Sequence, residues 1–208
     1  MNYLELSLAL RKYKIYIFTL EDVKNLLPGE KAKAIKNNLI RWLGKGYFVR
    51  LKRDLYEVAE QSSGLKIPDL YIANRLYEPS YVSLETALSI YSIIPDVAAG
   101  VTSVTTRPTR AFKNKYGPFF YRTCKKKAFT GYRIIVWEGF KVSIADKEKA
   151  LVDFLYYHPK SRSLDFDEER LNKMILKKID WKKAFKYATL FNHKTIEALK
   201  KCKGYVKC

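Results

Sequence analysis

The feature that most constrains the fold is a pair of helical patterns near the N terminus, separated by the turn Pro28-Gly29. Apolar residues recur at helical spacing from Leu20 to Leu27, and Thr19 stands where a helix N-cap is expected. The second pattern begins at about Glu30, and an amphipathic helix over 3–12 precedes both. The expected apolar face of the second helix consists of Ala32, Ile35, Leu39, Trp42 and Leu43. The pattern predicts three helices, the last two joined by a short turn.

The opposite face of the helix that begins at about Glu30 is polar and basic. Its members are Lys31, Lys33, Lys36, Asn37 and Arg41, and Asn38 flanks them. Arginine pairs bidentately with guanine and asparagine with adenine, so Asn37 and Arg41 are candidates for base contacts. We expect Lys33 and Lys36 to bind phosphates. This face is typical of a recognition helix in the major groove of DNA.

A basic hairpin is predicted directly after this helix. The β-prone segments Tyr47–Arg50 and Leu55–Val58 flank a charged turn over 51–54. The basic residues near its tip are Arg50, Lys52 and Arg53. The order of elements predicts a winged helix-turn-helix DNA-binding domain over residues 1–60. The alternative is a solvated face on a small helical domain that binds protein.

Residues 61–208 are predicted to form a mixed α+β domain that ends in a helical segment, after the polar linker 61–64. The expected helices are Asp69–Tyr77, Leu84–Tyr91, Lys147–Tyr157, Phe166–Leu176, Trp181–Phe191 and Lys194–Lys203. The expected strands are Tyr81–Ser83, Val101–Thr106, Phe119–Arg122 and Tyr132–Trp137. The fold class is therefore expected to be α+β, with the winged helix-turn-helix at the N terminus.

A positive charge excess favours a polyanionic partner. The chain has 40 Lys and Arg against 21 Asp and Glu, a net charge of +19. From Val97 to Trp137 there is no acidic residue. The basic residues proposed as a second surface are Arg107, Arg110, Lys113, Lys115, Arg122, Lys125, Lys126 and Lys127, with Arg133 nearby. Aromatic residues are interleaved with them: Phe112, Tyr116, Phe119, Phe120 and Tyr121. Such a segment suits a nucleic acid or an acidic protein; the alternative is a lysine-rich pair of loops around an ordinary sheet.

No pattern of catalytic residues stands out. Neither His158 nor His193 accompanies a nucleophile motif, and no glycine-rich phosphate loop occurs. The rival interpretation is a restriction-type nuclease, which needs an acid followed by acid-x-Lys on a strand. Asp96 could begin that pattern, but Glu138 and Lys141 have the wrong spacing. We therefore expect no enzymatic activity.

No metal or cofactor is expected either. The acids Asp165, Asp167, Glu168 and Glu169 are interpreted as partners of a helix dipole rather than metal ligands. Cys124, Cys202 and Cys208 lack zinc-like spacing and are expected to be free thiols. With no apolar run long enough for a membrane span and no signal peptide, a cytoplasmic protein is expected.

Four segments together resemble the AbiEi antitoxins of type IV abortive-infection toxin–antitoxin systems. They are PSYVSLETALSIYSIIPD, VTSVTTRPTRAFKNKYGPFFYR, VSIADKEKALVDFLYY and IDWKKAFKYATLFNHKTIEAL. One departure is Asp146-Lys147, where the family commonly has Ser-Pro at the start of a helix. Because Asp caps a helix as well as Ser does, the departure has little structural consequence.

The resemblance implies an autorepressor. In that family the N-terminal winged helix binds inverted repeats in its own promoter and represses a two-gene operon. The C-terminal domain counters a nucleotidyltransferase-like toxin without a stable complex and also supports DNA binding. The segment Arg107–Lys127 fits these functions of the C-terminal domain. It would bind either the operator backbone or the RNA or nucleotide that the toxin needs. A dimer on DNA is one option for the oligomeric state, and an RNA-binding adaptor remains an alternative function.

Overall fold

The computed structural model describes residues 1–95, 99–158 and 165–207. The fold combines helices with two sheets, which confirms the α+β class. The chain divides into two compact units. The first comprises Met1–Pro68 and Asn114–Tyr116, and the second Asp69–Lys113 and Gly117–Cys208.

The first unit contains helices around a small antiparallel sheet. The helices are α1 (Tyr3–Lys12), α2 (Leu20–Leu26), α3 (Ala32–Gly44) and α4 (Glu60–Ser63). The strands are β1 (Ile17–Phe18), β2 (Phe48–Lys52) and β3 (Leu55–Val58), in the order β1-β3-β2. The buried residues between them include Leu6, Leu10, Phe18, Val23, Ile35, Leu39, Trp42 and Phe48. Burial of these apolar side chains is the main force that holds the helices to the sheet.

The start of α2 is as predicted, and the start of α3 is not. The Thr19 hydroxyl accepts the amide of Asp22, whose carboxylate accepts the amide of Thr19 in return, which completes a capping box. Helix α3 begins at Ala32 rather than at Glu30, because the backbone of Lys31 is extended and makes Lys31 the N-cap residue. The Glu30 carboxylate binds the amino group of Met1. Ala32, predicted on the apolar face, lies exposed on the first turn.

The first unit differs from the prediction in three further places. Leu51 is buried and belongs to β2, so the turn is shorter than expected and consists of Arg53 and Asp54. The segment predicted as a linker forms α4, which ends where Gly64 adopts a left-handed conformation. The two-residue strand β1 was not predicted, because so short a pairing has no periodicity of its own.

The second unit is built on a mixed six-stranded sheet. Its strands are β4 (Ser80–Val82), β5 (Val101–Thr105), β6 (Arg110–Asn114), β7 (Gly117–Thr123), β8 (Tyr132–Trp137) and β9 (Phe140–Ala145). Their order is β6-β7-β5-β4-β9-β8, with β6 and β8 at the edges. β4 is antiparallel to β5 and parallel to β9, β5 is parallel to β7, and β8 is antiparallel to β9. Strands β6 and β9 were not predicted.

The helices of the second unit follow the prediction closely until the C-terminal third. They are α5 (Asp69–Leu76), α6 (Leu84–Ile90), α7 (Lys147–Tyr157), α8 (Lys173–Leu176), α9 (Trp181–Ala188) and α10 (His193–Lys207), with a short 3-10 helix over Lys126–Ala128. The predicted helix Phe166–Leu176 is wrong in its first half. Asp165 caps a single turn through the amides of residues 167 and 168, and this turn ends where Arg170 adopts a left-handed conformation. Asn172 then caps α8 through the amides of Met174 and Ile175.

A buried polar network lies inside the second unit. On α7, Lys149 and Asp153 are both wholly buried and form an ion pair one helical turn apart. The Asp153 carboxylate also accepts the hydroxyls of Ser83 at 2.8 Å and Tyr81 at 3.1 Å. Burial raises the pKa of Asp153, and Lys149 opposes that rise. The network joins α7 to strand β4 and the start of α6.

Candidate nucleic-acid interface

The polar face of α3 is directed to solvent. Lys33, Lys36, Asn37 and Arg41 are exposed, whereas Ile35, Leu39 and Trp42 on the opposite face are buried. The division follows from the 3.6-residue period of the helix, which puts the apolar positions against the sheet and leaves the basic ones outside. Lys31, at the N-cap position, is exposed as well. The residues predicted to contact DNA on this helix therefore lie on one accessible face.

Arg41 is held in place by Asn38, which flanks the polar face and had no predicted role of its own. The Arg41 guanidinium donates to the side-chain oxygen of Asn38 at 2.9 Å, and it lies over the ring of Trp42 at 5.9 Å. The Asn38 amide nitrogen donates in turn to the carbonyl oxygen of Met1 at 3.3 Å. Asn38 stands one turn before Arg41, a spacing at which helix side chains meet, and that signal is present in the sequence.

The positive charge on this face is not neutralised locally. Among residues 1–68, no carboxylate lies within ion-pair distance of Lys31, Lys33 or Lys36. The nearest acid in sequence, Glu30, is occupied by the amino group of Met1. Unpaired lysines on one helix face present a field that attracts phosphates.

The basic residues in and beside the turn between β2 and β3 differ in their exposure to solvent. Arg50 and Arg53 are exposed, whereas Lys52 is half-buried. The Arg50 side chain donates to the carbonyl oxygen of Lys52 at 3.4 Å, which holds it along the hairpin. The only acid of the turn, Asp54, accepts the amide of Leu20 at 3.1 Å and so ties the hairpin to the start of α2. Arg53 is thus the accessible charge at the tip.

Two apolar groups accompany the basic ones on α3. Ile40 is 60% exposed, and Ala34 is also exposed. Apolar side chains on a recognition helix can contact the methyl group of thymine. Ile40 was not predicted as a contact residue, because an isoleucine in a helical pattern is usually part of the core.

The eight residues proposed as a second basic surface are all exposed, yet they do not all belong to one unit. Lys115 lies in the first unit, and the other seven lie in the second. Arg107 lies over the ring of Tyr77 at 5.5 Å, and Arg110 lies over Phe112 at 5.2 Å. These contacts place the two arginines against aromatic rings of the second unit.

The aromatic residues interleaved with this set are mostly structural, which corrects the interpretation of an aromatic surface. Phe119 and Tyr121 are buried because they point inward from β7, and Phe112 packs edge-on against Tyr121. Phe120 points outward and is 38% exposed. Together with Arg122 it lines a cavity of about 300 Å³ in the second unit.

The remaining candidate residues do not form a metal centre in the part of the chain that is described. Within residues 1–95, 99–158 and 165–207 no group of three His, Cys, Asp or Glu side chains could hold a metal ion. His158 and Glu169 are 3.0 Å apart, and His193 lies 3.6 Å from Glu197 at the surface. Asp96, the first acid of the nuclease alternative, lies outside the described residues. None of the helices in the described ranges has the length and apolar character needed to cross a membrane.

No protein-family model matches the chain, and no curated protein matches it.

Proposed function

We propose that the chain is a DNA-binding transcriptional regulator. In this proposal the first unit is a winged helix-turn-helix, with α2 and α3 as its paired helices and β2–β3 as its wing. The observation that carries the proposal is the exposed face of α3, where Lys33, Asn37 and Arg41 lie in line and no carboxylate of the described residues forms an ion pair with them. A helix of this kind enters the major groove, while a basic hairpin lies on the backbone or in the minor groove.

The side chains divide into two roles. Lys33 and Lys36 neutralise phosphates and supply affinity that does not depend on sequence. Arg41 and Asn37 pair with base edges and supply specificity, each bidentate pair contributing about 1–3 kcal/mol of discrimination. Arg53 is the residue of the hairpin tip best placed for the backbone, because Lys52 is half-buried.

The biological role within this proposal is that of an antitoxin. The resemblance to AbiEi proteins supports an autorepressor that binds inverted repeats in its own promoter and counters a nucleotidyltransferase-like toxin. Here the second unit carries the antitoxin activity, and its exposed basic residues near Arg122 and Lys125 assist it. Expression of the neighbouring toxin gene with and without this chain tests the role directly: growth is rescued only if the chain is the antitoxin.

A binding experiment tests DNA recognition separately from toxin rescue. The full chain is titrated into a labelled duplex from the region upstream of its own gene, in competition with random duplex and with single-stranded RNA of equal length. We expect the upstream duplex to compete best. Arg41→Ala should cost about 1–3 kcal/mol on that duplex and little on random duplex.

Two further variants serve as controls. Lys36→Ala should weaken all duplexes alike and lower the slope of log affinity against log salt by about one. Lys182→Ala removes an exposed charge on α9 in the second unit and should leave base selectivity unchanged. Preference for the RNA, or equal losses on both duplexes from Arg41→Ala, would contradict base recognition by α3.

A further inference from the structure

An edge strand of the second unit exposes apolar side chains. Strand β8 lies at the end of the six-stranded sheet, and no other strand in the described ranges pairs with its outer side. On one face of β8, Tyr132 is 41% exposed, Ile134 66% and Val136 73%. Isolated apolar residues on a surface are common, but three in alternation along an edge strand are a template for another strand.

The two edges of the same sheet differ in how they are protected. Strand β6, at the opposite edge, carries Arg110 and Lys113 within five residues, and charges of this kind discourage pairing with another chain. Strand β8 has the sequence YRIIVW, with a single charge at Arg133 and no lysine or proline. The sheet therefore has one edge that resists association and one that does not.

The outward hydrogen-bonding groups of β8 follow from its pairing with β9. Ile134 is opposite Ser143, whose amide and carbonyl both bind the side chain of Asn74, at 2.7 and 3.2 Å. Those groups of Ser143 are consequently turned away from β8, so the pair with Ile134 is of the non-hydrogen-bonded kind. The backbone N–H and C=O of Ile134 face outward, and by alternation those of Tyr132 and Val136 do too.

We propose that β8 pairs antiparallel with β8 of a second copy of this chain, around a two-fold axis at Ile134. Only residues with outward groups can form the hydrogen-bonded pairs, and the register centred on Ile134 pairs all three of them. In it Ile134 meets its own copy and Tyr132 meets Val136. In this register the exposed apolar side chains cover each other on one face. The two six-stranded sheets become one continuous sheet.

The self-complementary register favours a second copy as the occupant. In the two-fold register Arg133 is opposite Ile135, and Glu138 is opposite Thr130, so no charge meets a like charge across the strands. Strand β8 can thus pair with its own copy without repulsion between like charges. A parallel pairing in register would instead place Arg133 beside its own copy.

The inference goes beyond DNA recognition and does not depend on it, because association is measured without nucleic acid. Sedimentation velocity of the full chain over a concentration series should show a reversible dimer. Ile134→Lys and Ile134→Glu each place like charges opposite one another, and each should weaken the dimer by at least about tenfold. An equimolar mixture of the two variants should restore the dimer, because position 134 then pairs lysine with glutamate.

Met174→Lys is the matched control, since Met174 is a 73% exposed apolar residue of helix α8, outside the six-stranded sheet. It should leave the dimer intact, and circular dichroism should show that all variants are folded. A wild-type monomer at every concentration, a dimer that survives both substitutions at position 134, or a mixture that stays monomeric would each overturn the proposal. Loss of the dimer on Met174→Lys would do so as well.

Discussion

Lys149 and Asp153 form an ion pair in which both side chains are wholly buried, four residues apart on α7. The hydroxyls of Tyr81 and Ser83 donate hydrogen bonds to the Asp153 carboxylate. A buried pair gains its attraction only by giving up hydration, so its net contribution is small while both partners are present. Removal of only one partner, in contrast, leaves the other charge buried without a counter-charge.

Lys149→Met should lower the free energy of unfolding by about 3–5 kcal/mol, because it leaves the Asp153 carboxylate buried without its counter-charge. Urea unfolding followed by circular dichroism measures the change. Lys182→Met, the same substitution at an exposed position of α9, should alter stability by less than about 0.5 kcal/mol. Similar small losses of unfolding free energy for both variants would show that Lys149 and Asp153 do not form a buried ion pair.

Glu57 gives a prediction about pH. Its side chain is buried on β3, and burial raises its pKa above the ordinary value of 4.5, although the hydroxyl of Tyr116, which donates to Oε1, opposes the rise. The second oxygen, Oε2, has no partner among the described residues. A carboxyl with a raised folded-state pKa favours the folded state at pH below its unfolded pKa, and this contribution is lost as pH rises through the folded pKa.

Glu57→Gln removes the titrating group while keeping an acceptor for Tyr116. The stability of the variant relative to wild type should therefore increase between about pH 4 and pH 7. Chemical unfolding at a series of pH values measures it, and Glu168→Gln, at an exposed position, should show no such trend. A relative stability of Glu57→Gln that does not increase over this range would mean that the folded-state pKa of Glu57 is not raised.

The two described cysteines should resist alkylation in the folded protein. Burial raises the pKa of Cys124 to about 11 and that of Cys202 to about 12. At about pH 8 on the order of one Cys124 thiol in a thousand is a thiolate, and access is also blocked. Labelling with iodoacetamide followed by peptide mass spectrometry should show slow modification of both, and fast modification in denaturant. Rapid labelling of Cys202 without denaturant would contradict its position in the core.

Asn38 should act as a positioning residue for base recognition. Its side-chain oxygen orients the Arg41 guanidinium, so Asn38→Ala should lower the ratio of affinities for upstream and random duplex by about fivefold, which corresponds to about 1 kcal/mol. Asn25→Ala, at an exposed position of α2, is the control and should leave the ratio unchanged. An equal loss on both duplexes would indicate that Asn38 supports only the fold.

The sequence predicts the elements that carry strong periodicity or clear caps. Helix α7 with its Asp146 cap and strand β8 occur with the predicted bounds, because apolar spacing and capping are local properties. Strands β6 and β9 were missed, since β6 is mostly polar and the register of β9 depends on distant partners. Such pairings cannot be inferred from spacing alone.

The candidate site is predictable to a similar extent. Exposure of Lys33, Asn37 and Arg41 follows from the helical period. That Lys52 is half-buried follows from the longer β2, which was not predicted, and the role of Asn38 depends on a side-chain contact. The ion pair of Lys149 and Asp153 has an i,i+4 signal in the sequence, but its complete burial depends on packing against other elements.

The most direct test is a nuclease footprint of the full chain on the region upstream of its gene, at physiological salt. Binding by the face of α3 predicts protection of a defined segment, with the protection weakened by Arg41→Ala and retained by Lys182→Ala. Uniform coating of the fragment, no protection at all, or a footprint that Arg41→Ala leaves unchanged would contradict recognition of DNA by α3.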